Sequence, residues 1–567
     1  MATSHRTESY LGNESSAWVD ELTIGQTLRR TAEMHGDHDA FVFHESGLRS
    51  SWKQLDEDAD TIARGLLALG FRPGDHFGIW ATNIPEWVIL QYATARIGVV
   101  LVNINPACRP SELSYTMKQA DLKGIAVIDR FRSDDFLSML DEVCPEIAAS
   151  SNTIVSSREF PRLKRVIQLR GEPSPGMLSW DNVKAAARET SAEYLRLLES
   201  SLSSFEAINI QYTSGTTGSP KGATLSHRNV LLNAFYSGAG QKLTHHDRIC
   251  LPVPLYHCFG CVLGSLCCVV HGSAMIFPSE GFAPRSTLSA IEAERVTSIY
   301  GVPTMFIAQL ESRDFAHRDL STLRTGIMAG SACPVELMKR VISDMGAAEI
   351  TIGYGQTEAS PLITQTRTDD PIELRVGTVG RTISGFEAKI VDPETGAELG
   401  DNQQGEFCGR GHGIMLGYYR MPGKTAEAID KDGWLHTGDL AERLSNGYFR
   451  ITGRLTDMII RAGENIYPRE IEERLFQHPA VEDAQVVGIP DRKLGEQVLA
   501  WVKLRSDMQA TEEELLAWCR ETLAHFKVPR FWKFVDSFPT TVTGKIQKFR
   551  MRDAAIKELA LQDVETA

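Results

Sequence analysis

A mixed α/β architecture is predicted: a large N-terminal domain of stacked α/β sheets with a β-barrel-like element, followed by a small C-terminal α+β domain. Three observations predict it. The 567 residues exceed what one hydrophobic core usually supports. Helix-like and strand-like segments alternate along the first two thirds of the chain, the signature of largely parallel sheets covered by helices. After Gly380 the strands become short and closely spaced, and a compact unit with its own apolar positions begins near residue 454.

The elements follow in order. Apolar residues recur at helical spacing over 27–35 and 55–69, while 76–80, 98–102, 124–128 and 165–168 read as short buried strands between turn residues. Residues 150–157 are polar and read as a surface loop. A strand at 207–212, a glycine-rich turn and a helix at 227–238 come next, then strands 247–251 and 273–277, helix 287–294 and strand 298–301. Strands 386–391, 405–409 and 447–452 suggest the barrel-like element. The C-terminal unit reads as helix 469–477, strands 481–489 and 497–504, and helix 512–522. The boundary is placed at 453–457, giving domains 1–453 and 454–567.

Composition excludes several classes. Lys and Arg number 59 against 73 Asp and Glu, a net charge of -14, so no overall positive field exists to hold a nucleic acid. An anionic ligand must then be bound by local features. No run approaches the roughly 18 apolar residues a membrane-spanning helix requires. The first 20 residues carry Glu8, Glu14 and Asp20 and lack the apolar core of a secretory signal, so the expected compartment is cytoplasmic. The ten cysteines are scattered apart from Cys258-Phe-Gly-Cys261 and the adjacent Cys267 and Cys268. With no second ligand pair for zinc, free thiols in a reducing compartment are expected.

The richest segment is Tyr212-Thr-Ser-Gly-Thr-Thr-Gly-Ser-Pro-Lys-Gly222. Gly215 and Gly218 let backbone amides turn inward, Thr213, Ser214, Thr216 and Thr217 supply hydroxyl donors, and Lys221 adds a cation. Such a loop suits phosphate oxygens. Its spacing is not that of a Walker A loop.

This segment resembles the signature loop of the adenylate-forming superfamily, within which the whole chain is most similar to medium-chain or broad-range fatty acyl-CoA synthetases. The other motifs occur in the same order. Tyr354-Gly355-Gln356-Thr357-Glu358, after Gly353, resembles the element whose tyrosine stacks on adenine and whose glutamate binds Mg²⁺. Gly330-Ser331-Ala332 resembles the small-residue turn beside adenine and the acyl channel. Asp439, in Thr437-Gly-Asp439, resembles the ribose carboxylate, and Arg454 a second ribose or phosphate contact. Lys545, in Thr543-Gly-Lys545, resembles the lysine that closes over the site during adenylation.

The resemblance implies ATP and coenzyme A as co-substrates of a carboxylic acid, with Mg²⁺ at Glu358 and catalysis by Lys545, Thr216, Glu358 and His257. It places pantetheine against Arg461, Ala462, Gly463, Glu464 and Asn465. It builds an acyl pocket from His257, Cys258, Phe259, Val302 and Pro303, where no carboxylate stands to pair an amino group. It also implies a mobile C-terminal domain that rotates about Thr456, a position where relatives carry aspartate or lysine. A fatty acid is the favoured substrate. An acyl-AMP ligase loading a carrier protein, an aryl or short branched acid-CoA ligase and a non-catalytic nucleotide-binding regulator are the competing readings, and a homo-oligomer is left open.

Overall fold

The computed structural model describes residues 17–150, 152–213, 220–331, 333–462, 464–540, 546–559 and 561. Two large sheets dominate. One has nine strands, with a parallel centre running through Glu349–Gly355, Thr325–Met328, Ser298–Gly301, Arg248–Cys250, Ala274–Phe277 and Asp39–Phe43. The other has eight, with a parallel centre through Ala207–Thr213, Val100–Asn103, His76–Trp80, Gly124–Val127 and Arg165–Gln168. In both, antiparallel strands occur only toward the edges.

The two faces of the nine-stranded sheet can be read from its alternation. Ile249, Met275, Phe277, Tyr300 and Ile327 point into a core shared with the eight-stranded sheet. Their neighbours Cys250, Ile276, Ile299 and Met328 point into a second core under helices Pro284–Ala293, Pro303–Leu310 and Val335–Met345. Successive strand residues face opposite sides, so a sheet covered on both faces reads as a continuous apolar run. The shared core also holds helices Pro85–Arg96 and His227–Gly240, buried on nearly all sides. A helix without a polar face belongs in an interior layer, here between two sheets.

Three features depart from the sequence expectation. The glycine-rich loop does not lead into the helix at 227. A strand, Lys221–Ser226, comes first and pairs back antiparallel onto Ala207–Thr213. The strand was hidden because Lys221-Gly222 opens it in turn-like composition. The barrel-like element is an open antiparallel sheet of Phe386–Val391, Gln404–Gly411, Leu435–Arg443 and Phe449–Arg454, without closure among the described residues. The C-terminal unit has a five-stranded sheet in place of two strands, because the short strands Ile459–Arg461, Glu464–Ile466 and Phe531–Phe534 join Val481–Asp491 and Gly495–Leu504.

The C-terminal unit packs its own core, with Ile459, Ile471, Leu475, Val486, Val498, Leu515 and Cys519 buried together. A smaller cluster around Trp501 and Met551 seats the last helix, Lys548–Glu558, on the other side of the sheet. Between the large sheets and this unit lies the open antiparallel sheet. Its Phe407 is fully buried, edge-on to Tyr354 at 5.2 Å and to Phe449 at 5.1 Å between ring centroids. Replacing Phe407 with alanine should therefore lower the stability of the large domain by about 3–5 kcal/mol. Chemical denaturation followed by tryptophan fluorescence checks this, and an unchanged midpoint would show that the ring is not structural.

Candidate active site

Residues from distant parts of the chain meet at the C-terminal ends of parallel strands, where open α/β sheets leave a crevice for ligands. Adjacent strands of the nine-stranded sheet end successively in Tyr354, in Gly330 just beyond Met328, and in Val302 just beyond Gly301. The segment with His257, Cys258 and Phe259 follows the neighbouring strand, Arg248–Cys250. From the eight-stranded sheet, Ala207–Thr213 brings Thr213 and the loop beyond it, with the Thr213 hydroxyl donating to the Lys221 carbonyl at 3.4 Å. Ser214, Gly215, Thr216, Thr217 and Gly218 lie outside the described residues.

The centre of the site is a buried carboxylate. Asp439 is 4% exposed. Its Oδ2 accepts the Tyr354 hydroxyl at 2.9 Å, and its Oδ1 accepts Arg454 Nε at 2.7 Å. Asp439 and Arg454 are directly opposed on strands Leu435–Arg443 and Phe449–Arg454. Asp439 stands within a strand, beside a register shift between Leu440 and Ala441. Burial, and then the negative charge of Asp439, push the Tyr354 hydroxyl well above its ordinary range, so it stays a donor. The same carboxylate raises the Arg454 guanidinium further.

A second carboxylate, Glu358, is also buried and sits on the short turn Thr357–Ala359 that follows Gln356. Its Oε1 accepts the Tyr418 hydroxyl at 2.7 Å. Burial and this anion raise the Tyr418 phenol out of the titrating range. Lys221 Nζ lies 4.5 Å over the Tyr418 ring, so the hairpin that carries the glycine-rich loop and the Glu358 turn share one aromatic anchor. Tyr418 was not singled out from the sequence, because Gly417-Tyr418 has no motif of its own. Its signal is structural, in the pairing of Ala223 with Tyr418. Gly355 is obligatory, since a Cβ there would stand 1.9 Å from the Pro361 carbonyl oxygen.

The apolar side of the crevice joins this cluster directly. Cys258 Sγ lies 3.7 Å from the Thr357 hydroxyl and 3.6 Å from His257 Nδ1. That ring nitrogen accepts the Phe259 amide at 3.1 Å, which fixes it as an acceptor. Phe259 stacks near Tyr300 at 5.9 Å and begins a π-helical turn, Phe259–Leu266. Val302 caps the helix that starts at Pro303, and Gly330, with φ of 89°, passes beside it. Gly353 packs against Ile327 and Leu362, which leaves no space there for a side chain. Burial pushes the Cys258 thiol up to about 12, and Cys258 and Cys261 are both free and buried, so their CxxC spacing is structural.

The remaining candidates lie at the edge. Ser331 is exposed, Ala332 is outside the described residues, and Cys333 precedes the helix that starts at Val335. Arg461, Ala462, Glu464 and Asn465 form the tip of a hairpin whose Gly463 is outside the described residues. Arg461 donates to the Phe526 carbonyl at 2.7 Å and Ala462 to the Leu494 carbonyl at 2.7 Å, contacts within the C-terminal unit. The segment joins two paired strands, Ile459–Arg461 and Glu464–Ile466. Thr456 sits in the single turn Leu455–Asp457, directly after Arg454. Lys545 lies outside the described residues, in a segment flanked by a bridge between Thr540 and Ile546.

A family model described as AMP-binding enzyme matches residues 28–419, and one described as AMP-binding enzyme C-terminal domain matches 470–545. A Bacillus subtilis (strain 168) protein named as an acyl-CoA synthetase, YngI, is 48% identical over 94% of this chain and 97% of its own. The medium-chain acyl-CoA ligase ACSF2 of Danio rerio, mitochondrial by name, is 42% identical over 98% of this chain and 92% of its own. Among solved structures, the anthranilate CoA ligase AuaEII in complex with anthranoyl-AMP superposes with a TM-score of 0.84 at 26% identity, covering 95% of this chain and 98% of that one. No helix among the described residues is long and apolar enough to cross a membrane.

The Tyr418 hydroxyl should matter to folding as well as to the site. Tyr418→Phe removes a donor from a buried carboxylate, which costs about 1–3 kcal/mol. Urea denaturation measures it, and a stability equal to the parent would show that Glu358 is satisfied without Tyr418.

Proposed function

The chain belongs to the AMP-binding enzyme family and is an AMP-forming acid–thiol ligase, and from that premise we propose that it joins a medium-chain fatty acid to coenzyme A through the cleft around Asp439. The observation that carries the reading is the convergence of Tyr354 and Arg454 on Asp439, with Glu358 four residues beyond Tyr354, on the turn that follows its strand. A carboxylate retains lone pairs beyond two hydrogen bonds, so Asp439 can still accept ribose hydroxyls. The Tyr354 ring offers adenine an aromatic face.

In the first half-reaction a substrate carboxylate oxygen attacks the α-phosphorus of ATP, and pyrophosphate leaves. The glycine-rich loop with Thr216 and Lys221 holds the phosphates. Lys545 offsets the negative charge that develops between carboxylate and phosphate, electrostatic stabilisation of the transition state. In the second, the thiolate of coenzyme A attacks the acyl carbonyl of the mixed anhydride and AMP leaves. Between the two, the unit after residue 453 turns about Thr456, withdrawing Lys545 and bringing the hairpin of Arg461 to Asn465 over the cleft. His257 stands at the mouth of the acyl pocket.

Glu358 fits a magnesium ion: it offers hard carboxylate oxygens, and Oε1 is held in place by Tyr418. When bound, the ion supplies positive charge to the phosphates. The pocket walls of Cys258, Phe259, Val302 and Pro303 are apolar, which suits an alkyl chain, and ACSF2 carries a medium-chain name. An aryl acid is the second reading, favoured by the likeness to a structure holding anthranoyl-AMP. The cytoplasm is the proposed compartment, consistent with ten free thiols.

Two measurements test this. Lys545→Ala should lower acid-dependent ATP–pyrophosphate exchange by about 10²–10³-fold, the loss typical of a transition-state donor, while leaving transfer from supplied acyl-AMP to coenzyme A within a few-fold of the parent. Equal loss in both would refute the division of labour. A panel of acids scored by CoA-dependent AMP release should peak at medium alkyl chains. A peak at benzoates would favour the aryl reading.

A further inference from the structure

On and beside the Asp439 strand lies a second group of chemically active side chains that the ligase reaction does not use. Glu406 and Cys408 stand two apart on strand Gln404–Gly411, so they share a face. Cys408 is directly opposed by His436 on the neighbouring strand. Cys408 Sγ is 3.5 Å from His436 Nδ1, and Glu406 Oε2 is 2.8 Å from the same nitrogen. A thiol, a ring nitrogen and a carboxylate oxygen thus lie within 4.8 Å of one another.

The shared nitrogen decides between two readings. A nucleophilic cysteine relay needs the thiol on one ring nitrogen and the carboxylate on the other. Here both meet Nδ1, which is the convergence a chelate requires. In a tetrahedral zinc site the bond lengths set donor separations of about 3.5 Å for sulfur to nitrogen and about 3.3 Å for nitrogen to oxygen. The first is already present, and the second needs Glu406 to retreat by about half an ångström along its own hydrogen bond. The other ring nitrogen, Nε2, faces Asp430 Oδ2 at 3.8 Å. Ligating histidines regularly give that second N–H to a carboxylate. Asp430 is itself held by the amides of Asp432 and Trp434 at 2.9 Å.

We propose that Glu406, Cys408 and His436 form a binding site for one borderline-soft divalent cation, Zn²⁺ by its donor set, between strand Gln404–Gly411 and the strand that carries Asp439. Thiolate and carboxylate together balance the charge of the ion. On binding, the thiol proton leaves to solvent and the imidazole proton resides on Nε2, toward Asp430. A water takes the fourth position. Cys408 is fully buried, whereas the His436 side chain is 34% exposed, so the ion enters from the histidine side. The site also reaches the ribose carboxylate through the backbone: Glu406 Oε1 accepts the Gly438 amide at 3.0 Å, one residue before Asp439.

Co²⁺ titrated into the metal-stripped full chain is the test. The parent should show a single-site thiolate-to-cobalt charge-transfer band, displaced by Zn²⁺. Cys408→Ser should lose the band while keeping far-UV circular dichroism and AMP-induced thermal stabilisation, and Cys333→Ser should keep it. Asp430→Asn, which leaves all three ligands in place, should weaken Co²⁺ binding about 10–100-fold, the usual effect of removing a carboxylate partner behind a ligating histidine. No band in the parent, a band that survives Cys408→Ser, or full affinity in Asp430→Asn would each overturn the assignment.

Discussion

The site depends on a carboxylate held by two donors where little water reaches it. Asp439 is almost wholly buried, and a lone anion there would be expensive without partners. Arg454 supplies charge and a hydrogen bond, and Tyr354 supplies a second donor, from two different sheets. The parallel sheet, which ends in Tyr354, and the antiparallel sheet, which carries Asp439 and Arg454, are therefore joined at one polar point. Behind it, Phe407 closes the gap with an aromatic edge. Polar partners inside and apolar packing behind hold the geometry before any ligand arrives.

A parallel arrangement holds Glu358, on the proposed phosphate side. Glu358 is buried, fixed by Tyr418, and Tyr418 is in turn covered by Lys221. Through Thr357 and Cys258 the same cluster reaches His257 and the apolar crevice. The proposed nucleotide and acyl positions are thus contiguous, as a reaction between a carboxylate and the inner phosphorus of ATP demands.

Much of this could be read in the sequence. Strands 76–80, 165–168, 298–301 and 386–391 match the observed elements residue for residue, because short apolar runs bounded by turn residues admit one reading. Tyr354, Asp439 and Arg454 were named from motifs, and they do meet, while Glu358, named the same way, bonds Tyr418. What stayed hidden involves partners far apart in the chain. Tyr418 has meaning only through pairing with Ala223, and strand Lys221–Ser226 only through pairing with Ala207–Thr213. Cross-strand registers also place Cys408 against His436, a proximity that 28 residues of separation conceal. The extra strands of the C-terminal sheet, three or four residues each, are too short for periodicity to reveal.

The central claim is that one cleft carries an adenylate between two half-reactions. Rapid quenching of the enzyme with α-labelled ATP and decanoate, with coenzyme A withheld, tests it most directly. A stoichiometric amount of labelled acyl-adenylate should accumulate on the protein and convert to AMP when coenzyme A is added. Label that stays in ATP until coenzyme A is present, or adenylate that coenzyme A does not discharge, would contradict it.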